Sequence, residues 1–184
     1  AANSSLQPWL WDLVVSFNEA ELETEDGPAY VQLTFVEAGQ AVGDMTAGNL
    51  APAVWIPDDK VWANLLAGQG NADYNLDCVS VAQSPLVIAV WRPVAESLGW
   101  PTRDLGWLDV GSLAADPTAW AYYSPDAYGE ALRLGHTHPG LSATGASTLL
   151  AIVQAAQSKS EAVTVEDIQQ PIVQASVGAF ESAV

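Results

Sequence analysis

A chain of 184 residues carrying 22 acidic and only 5 basic side chains has a net charge of −17, which excludes nucleic acid and anionic lipid as natural partners. Its 49% hydrophobic content and eight Trp call for a packed core, either one sizeable domain or two small lobes, and exclude general disorder. The single cysteine, Cys78, excludes an internal disulfide and a Cys-rich metal site, and as a free thiol beside Val79 it is expected to be buried and inert.

Charge is uneven. Twelve of the acidic residues precede Cys78, where Lys60 is the only Lys or Arg. The longest apolar runs, Leu86–Trp91 and Thr148–Val153, suit buried strands or helices and are too short to span a bilayer, so no direct membrane insertion is expected. The first residues lack the basic and apolar pattern of a signal peptide.

Leu6, Trp9, Leu10, Leu13, Val14 and Phe17 follow helical spacing, with Pro8 in the first turn and Ser4 or Ser5 as N-cap. The acidic run Glu19–Asp26 reads as a solvated loop. Tyr30–Val36 alternates and is rich in β-branched and aromatic residues, so it predicts a strand. A short helix over Gln40–Ala47 follows, then an apolar strand over Ala51–Ile56 with Pro52 near its start. Asp58 is the expected cap of a helix over Lys60–Leu66 that stops at Gly68. This alternation of helix and strand predicts an α/β fold with a parallel sheet.

Gln69–Asp77 reads as a polar link. Val79–Val90 is strand-like, interrupted at Ser84-Pro85, and leads to a helix from Arg92 that ends at Gly99. Trp107–Ala114 predicts another helix and Trp120–Glu130 an aromatic turn region. The tail from Thr164 has Glu166 and Asp167 near a helix start and apolar residues at helical spacing. No repeat of fixed period is present.

The most informative stretch is Ala131–Ala156: a short strand over Ala131–Gly135, a turn holding His136 to Gly140, then a helix opening on Ser142, Thr144, Gly145 and Ser147. A helix start has unpaired N–H groups and a positive dipole end, so such a motif can receive an anion or polar ligand. Equally, Ser142 or Thr144 can simply cap a core helix.

Metal and catalytic readings are weak. His136 and His138 supply two ligands beside a Pro-containing turn, too few for a closed site, and Asp58-Asp59 is explained by a cap and a solvated neighbour without Ca²⁺. No metal site or cofactor is therefore expected. No G-x-S-x-G elbow, P-loop, G-x-G-x-x-G or Cys–His signature follows a strand, so no catalytic residue is assigned and an enzyme is not expected. The Trp residues at 9, 55, 62, 91, 100 and 107 read as mostly core. Trp120, Tyr122, Tyr123 and Tyr128 are the aromatics suited to a ligand wall or partner surface.

The segments A-P-A-V-W-I-P-D-D-K-V-W-A-N-L-L, S-P-L-V-I-A-V-W-R-P-V-A-E-S-L-G-W, G-W-L-D-V and L-R-L-G-H-T-H-P-G-L-S-A-T-G, in that order, resemble bacterial extracellular solute-binding proteins of the type II periplasmic binding protein fold. The nearest subgroup is the substrate-binding domain found joined to a von Willebrand factor type A domain. The resemblance implies two α/β lobes on parallel sheets with ligand in the cleft between them. Residues 1–83 would form a first lobe lacking its first strand, 84–130 a crossover and helical connection, and 131–184 the start of an incomplete second lobe. On that basis the chain reads as a fragment.

Carried over residue by residue, the resemblance implies ligand contacts at Asn3, Ser4 and Ser5, at Glu37, Ala38 and Gly39, at Ser84, and at Ser142, Thr144 and Gly145. Hydroxyls and helix N-termini there would hold a small polar or anionic ligand, an oxyanion included, although the Glu37 carboxylate disfavours an anion. The expected function is an extracytoplasmic solute-binding domain. The rival reading is a structural or assembly subunit of a surface or membrane-attached complex, with a membrane-attached protein as partner and no small ligand.

Overall fold

In the computed structural model, which describes residues 1–70, 74, 77–123 and 128–184, three extended segments meet at the start of the chain. The Ala2 N–H donates to the Thr34 carbonyl (3.0 Å) and the Val36 N–H to the Ala2 carbonyl (3.0 Å). On the other side, the Asn3 N–H donates to Ile56 (2.9 Å) and the Ile56 N–H to Ala1 (2.9 Å). Ala2 is thus bridged in parallel to both Phe35 and Ile56, with the N-terminal segment in the middle. This is the slanted bonding of a parallel sheet, reduced to one bridge on each side.

The strands expected over Tyr30–Val36 and Ala51–Ile56 are therefore corrected to single bridges at Phe35 and Ile56. After Asn3 the middle segment turns helical, and among the flanking residues Val31 bonds instead to the Asn18 side chain through both its N–H and its carbonyl (2.9 Å each). The regular sheet among the described residues is a two-stranded antiparallel pair, β1 (Glu23–Thr24) with β2 (Gly27–Pro28), inside the acidic stretch expected to be loop. Gly27, at φ +114°, makes that tight turn possible.

The chain divides into two compact units, Ala1–Gln83 with Gly140–Ala143, and Ser84–Pro139 with Thr144–Val184. In the first, a 3₁₀ turn over Ser4–Leu6 runs into α1 (Gln7–Glu19). The cap is Asn3, whose Oδ1 accepts from the Ser5 N–H (2.9 Å), and not Ser4 or Ser5. Only Leu10 of α1 is buried; Trp9, Trp11 and Leu13 are exposed, so the helix has the expected spacing without the expected cover. Helices α2 (Ala38–Thr46) and α3 (Lys60–Gly68) pack together through Ala38, Val42, Met45, Trp62 and Leu66, with Leu50 and Trp55 against them.

The second unit is helical: α4 (Arg92–Ser97), α5 (Trp107–Ala115), α6 (Pro117–Tyr123), the body of α7 (Ala143–Ala156), α8 (Val165–Gln169) and α9 (Pro171–Glu181). Its core joins Leu98, Leu113 and Trp120 with Val94, Leu105 and Leu132, and α5 packs along α9. The single tail helix is corrected to two, because Gln170 before Pro171 is held extended (ψ 132°). Asp109 accepts from the Gly106 N–H (2.8 Å) and pairs with Arg103 (2.7 Å). Burial raises the Asp109 pKa, but the Gly106 N–H and the Arg103 guanidinium outweigh it and leave the pKa lowered.

The strands expected over Val79–Val90 and Ala131–Gly135 are not ladder strands among the described residues. Val79–Val90 has no regular structure and is exposed along its whole length, with Val79 at 84%. Leu134 is tied instead to the chain end, its N–H donating to Ala183 (2.8 Å). A β-prone segment without a neighbour gains no ladder bonds to offset its ordering. The aromatic assignments also reverse in part. Trp120 is core at 3% exposure, its Nε1 donating to Gly129 (3.0 Å), while Trp91 is 83% exposed and Trp9 and Trp100 are also on the surface. Cys78, expected to be buried, is exposed. Of the Gln69–Asp77 link, residues 71–73 and 75–76 lie outside the described residues, as do 124–127 of the Trp120–Glu130 region.

Candidate functional site

Parallel segments put their carboxyl ends on one side, and the loops leaving that side are where open α/β sheets place ligands. Ala2 is bridged to both Phe35 and Ile56, and beyond these bridges the three segments leave as the 3₁₀ turn at Ser4, the N-cap Glu37 of α2 and the bend at Asp58-Asp59 before α3. The segments leaving the bridges thus carry the Ser4 hydroxyl and the Glu37 and Asp58 carboxylates. Glu37 leads directly into α2, where it is the N-cap by backbone without a side-chain bond.

A distant segment of the first unit returns to this end. The Gly39 N–H donates to the Leu141 carbonyl (3.0 Å), and a Cβ on Gly39 would run into the carbonyl of Gly140. Two residues later the Ala143 N–H, the first of α7, donates to Asp58 Oδ2 (2.8 Å) across a separation of 85 residues. Asp59, not Asp58, caps α3, its Oδ1 accepting from the Val61 N–H (2.8 Å). The helix start that the sequence marks as an anion receiver therefore already holds a carboxylate of its own chain.

Of the expected ligand contacts, Asn3, Ser4, Ser5, Glu37, Ala38, Gly39 and Ser142 all belong to this unit. Asn3 is 2% exposed and Ser142 9%, Ala38 is fully buried, Ser4, Glu37 and Gly39 are half-buried, and Ser5 is exposed. Gly39 serves a close backbone approach, since any larger side chain meets Gly140. Ser84, Thr144 and Gly145 belong to the second unit. Ser84 is exposed on the irregular Val79–Val90 stretch, Thr144 accepts at its carbonyl from Thr148 Oγ1 (2.8 Å), and Gly145 is packed so that a Cβ would meet the Thr137 carbonyl.

Asp58 is the residue that sequence reasoning placed wrongly, as the cap of α3. The available signal was the Asp58-Asp59 pair itself: only one of two adjacent carboxylates can cap the helix that follows, which frees the other for a different partner. Asp58 Oδ1 is buried and has no hydrogen-bond partner, and the same holds for Asn3 Nδ2 and for Trp55 Nε1 and Trp62 Nε1. The Asn3 amide cannot be turned round to change this, because its oxygen is needed by the Ser5 N–H. Buried polar atoms without partners are costly, and each marks a place where water or a ligand completes the structure.

His136 is engaged elsewhere, its Nδ1 facing the Thr137 carbonyl (2.8 Å), its Nε2 facing Glu181 Oε1 (2.9 Å) and its ring against Phe180. Among the described residues no group of three or more His, Cys, Asp and Glu is placed to hold a metal ion. None of the described helices is long and apolar enough to cross a membrane.

No curated protein and no solved structure matches the chain. Residues 1–183 match the model of the family described as bacterial extracellular solute-binding protein, a family of extracytoplasmic ligand-binding proteins of α/β type. With that match running over nearly the whole chain, the protein belongs to the bacterial extracellular solute-binding protein family.

Proposed function

We propose that the chain is a non-catalytic solute-binding domain whose ligand is a small polar molecule held at the carboxyl end of the parallel ladder. Asn3, Ser4, Glu37, Asp58 and Ser142 are the contacts, and Ser5, Ala38, Gly39, Ser84, Thr144 and Gly145 remain part of the proposed contact set. The underlying plan is the two-lobed, parallel-sheet type II architecture that the resemblance implies. One observation carries the reading: buried donor and acceptor atoms, Asn3 Nδ2 and Asp58 Oδ1, stand without partners where three loops and the returning Gly140–Ala143 segment meet.

Transfer of a solute to a membrane-attached partner is the corresponding role, with no cofactor in the proposal. The test is a thermal-shift screen of sugars, amines, amino acids and oxyanions on the purified chain, followed by titration of Ser4→Ala combined with Ser142→Ala. A stabilising compound whose effect the double variant abolishes supports the reading. The absence of any hit, with a stable hetero-complex on size exclusion, sinks it in favour of an assembly subunit. That second reading draws on the exposed Trp9 and Leu13, four residues apart on one side of α1, an apolar strip suited to another protein.

A further inference from the structure

Helix α1 turns only one side to the rest of its unit. At about 100° per residue, Leu10, Val14 and Phe17 share the inner side, with Leu10 buried and the other two half-buried. Trp9 and Leu13 run along one border of the outer side and Trp11 and Val15 along the other, each of the four 40–53% exposed. Between these two apolar strips lie Asp12, Ser16 and Glu19, all exposed.

That arrangement restricts what can cover the face. A partner that takes up both strips also covers Asp12 and Glu19, and a carboxylate removed from water needs a positive partner. The surroundings add to the demand. Lys60 is the only Lys or Arg of the first unit, against twelve acidic residues. The last turn of α1 carries no basic side chain, although a helix C-terminus attracts cations. The β1–β2 hairpin that follows brings Glu21, Glu23, Glu25 and Asp26 next along the chain, and it is closed by the Ala29 N–H donating to Leu22 (2.7 Å). A second copy of this chain brings the same negative charge and is repelled.

The start of the helix offers a seat for one basic side chain. Trp11 and Asp12 border a shallow hollow of about 470 Å³ together with Ser4, Gln7 and Pro8. An indole next to a carboxylate suits arginine, whose planar guanidinium stacks on a ring and donates to a carboxylate at once. We propose that α1 is the docking face for a basic amphipathic helix of a partner protein, which lays apolar side chains on the Trp9–Leu13 strip and seats an arginine in the hollow at Trp11 and Asp12. Such a partner is compatible both with solute transfer and with assembly, so the surface stands apart from the solute question.

The experiment is calorimetric titration of the intact chain with an amphipathic helical peptide of Leu and Arg as long as α1, and with versions carrying Lys or Glu in place of every Arg. The Arg peptide should bind, the Lys peptide more weakly, and the Glu peptide not at all. Trp9→Ser combined with Leu13→Ser should weaken the Arg peptide by about tenfold, the effect of losing a half-buried apolar anchor on each turn. Asp12→Asn, which keeps the shape of the side chain and so stays informative if the double variant loses its fold, should weaken it by about fivefold. Glu130→Gln combined with Glu166→Gln, exposed in the second unit, should leave it within about twofold.

Failure of the Arg peptide to bind, or equal binding of the Glu peptide, overturns the proposal. So does a loss at Glu130 and Glu166 as large as that at Asp12, which would mean general attraction to an acidic protein. Self-association of the chain in sedimentation, abolished by the Trp9 and Leu13 changes, would assign the face to a second copy instead.

Discussion

The two units treat β-prone sequence in opposite ways. In the first, Ala1–Asn3 lies between Phe35 and Ile56, and three short segments become a parallel ladder because each has a neighbour. By contrast, among the described residues the Val79–Val90 stretch, which runs into the second unit and is rich in branched apolar residues, forms no ladder, and neither does Ala131–Gly135 within that unit. The second unit holds together through helix packing, caps and ion pairs instead. Strand propensity describes fitness for a pleated, half-buried surface, and it produces a sheet only where a second surface exists.

The contrast breaks most visibly in the first unit's core. Leu66→Ala removes a fully buried side chain packed by Val42, Met45 and Trp62, and should cost about 2–5 kcal/mol in urea unfolding. A loss under about 1 kcal/mol would mean that this core is not the one that holds the ladder. Next in size is the close approach at the site. Gly39→Ala forces a Cβ into the Gly140 backbone and should cost about 1–3 kcal/mol, whereas Gly43→Ala on the same helix meets open space and should stabilise by about 0.5–1 kcal/mol. Opposite signs for two glycines four residues apart, measured by thermal melting, sharpen the claim that the returning segment is packed there.

The second unit's dependence on charge is tested by acid. The Lys159 ammonium, then the Thr164 N–H and hydroxyl, hold the Asp167 carboxyl down to about 2 from 3.8. A depressed folded-state pKa contributes stability that is present above pH 3.8 and is lost as pH falls from there toward 2. Asp167→Asn should flatten that part of the pH–stability curve and leave the curve near neutrality parallel to the original; an unchanged acid limb refutes the coupling. The smallest effect belongs to the exposed Val79–Val90 stretch. Val87→Thr should change stability by no more than about 0.5 kcal/mol, and a loss above about 2 kcal/mol would show that the stretch is covered in solution.

Helices were legible in the sequence because their signals are local. The Asp58-Asp59 pair before an apolar run, Pro8 in a first turn, and Thr164 three residues before Asp167 announce starts without reference to the rest of the chain. Strands were not, because Phe35 and Ile56 pair only through Ala2, and no reading of Tyr30–Val36 alone reveals how much partner it will have. The site divided along the same line. Asn3, Glu37 and Ser142 could be named from the family resemblance and helix starts. Asp58 was assigned to the adjacent helix, since its bond to Ala143 joins residues that are distant in sequence. Trp91 and Trp120 exchanged surface and core for a similar reason: hydrophobicity states that burial is favourable, and long-range packing decides which ring obtains it.

The Asp58–Ala143 bond also has a consequence for the order of folding. The first unit is discontinuous, and its closing contacts, Gly39 with Leu141 and Asp58 with Ala143, pair early residues with a segment that follows most of the intervening chain. During synthesis the ladder and the α2–α3 core can assemble as soon as residue 70 has emerged. The carboxyl end of the ladder stays unsealed until residue 143 follows, so contacts of long sequence separation complete the binding end last. A nascent chain halted before residue 140 should therefore hold its first core and lack a finished site.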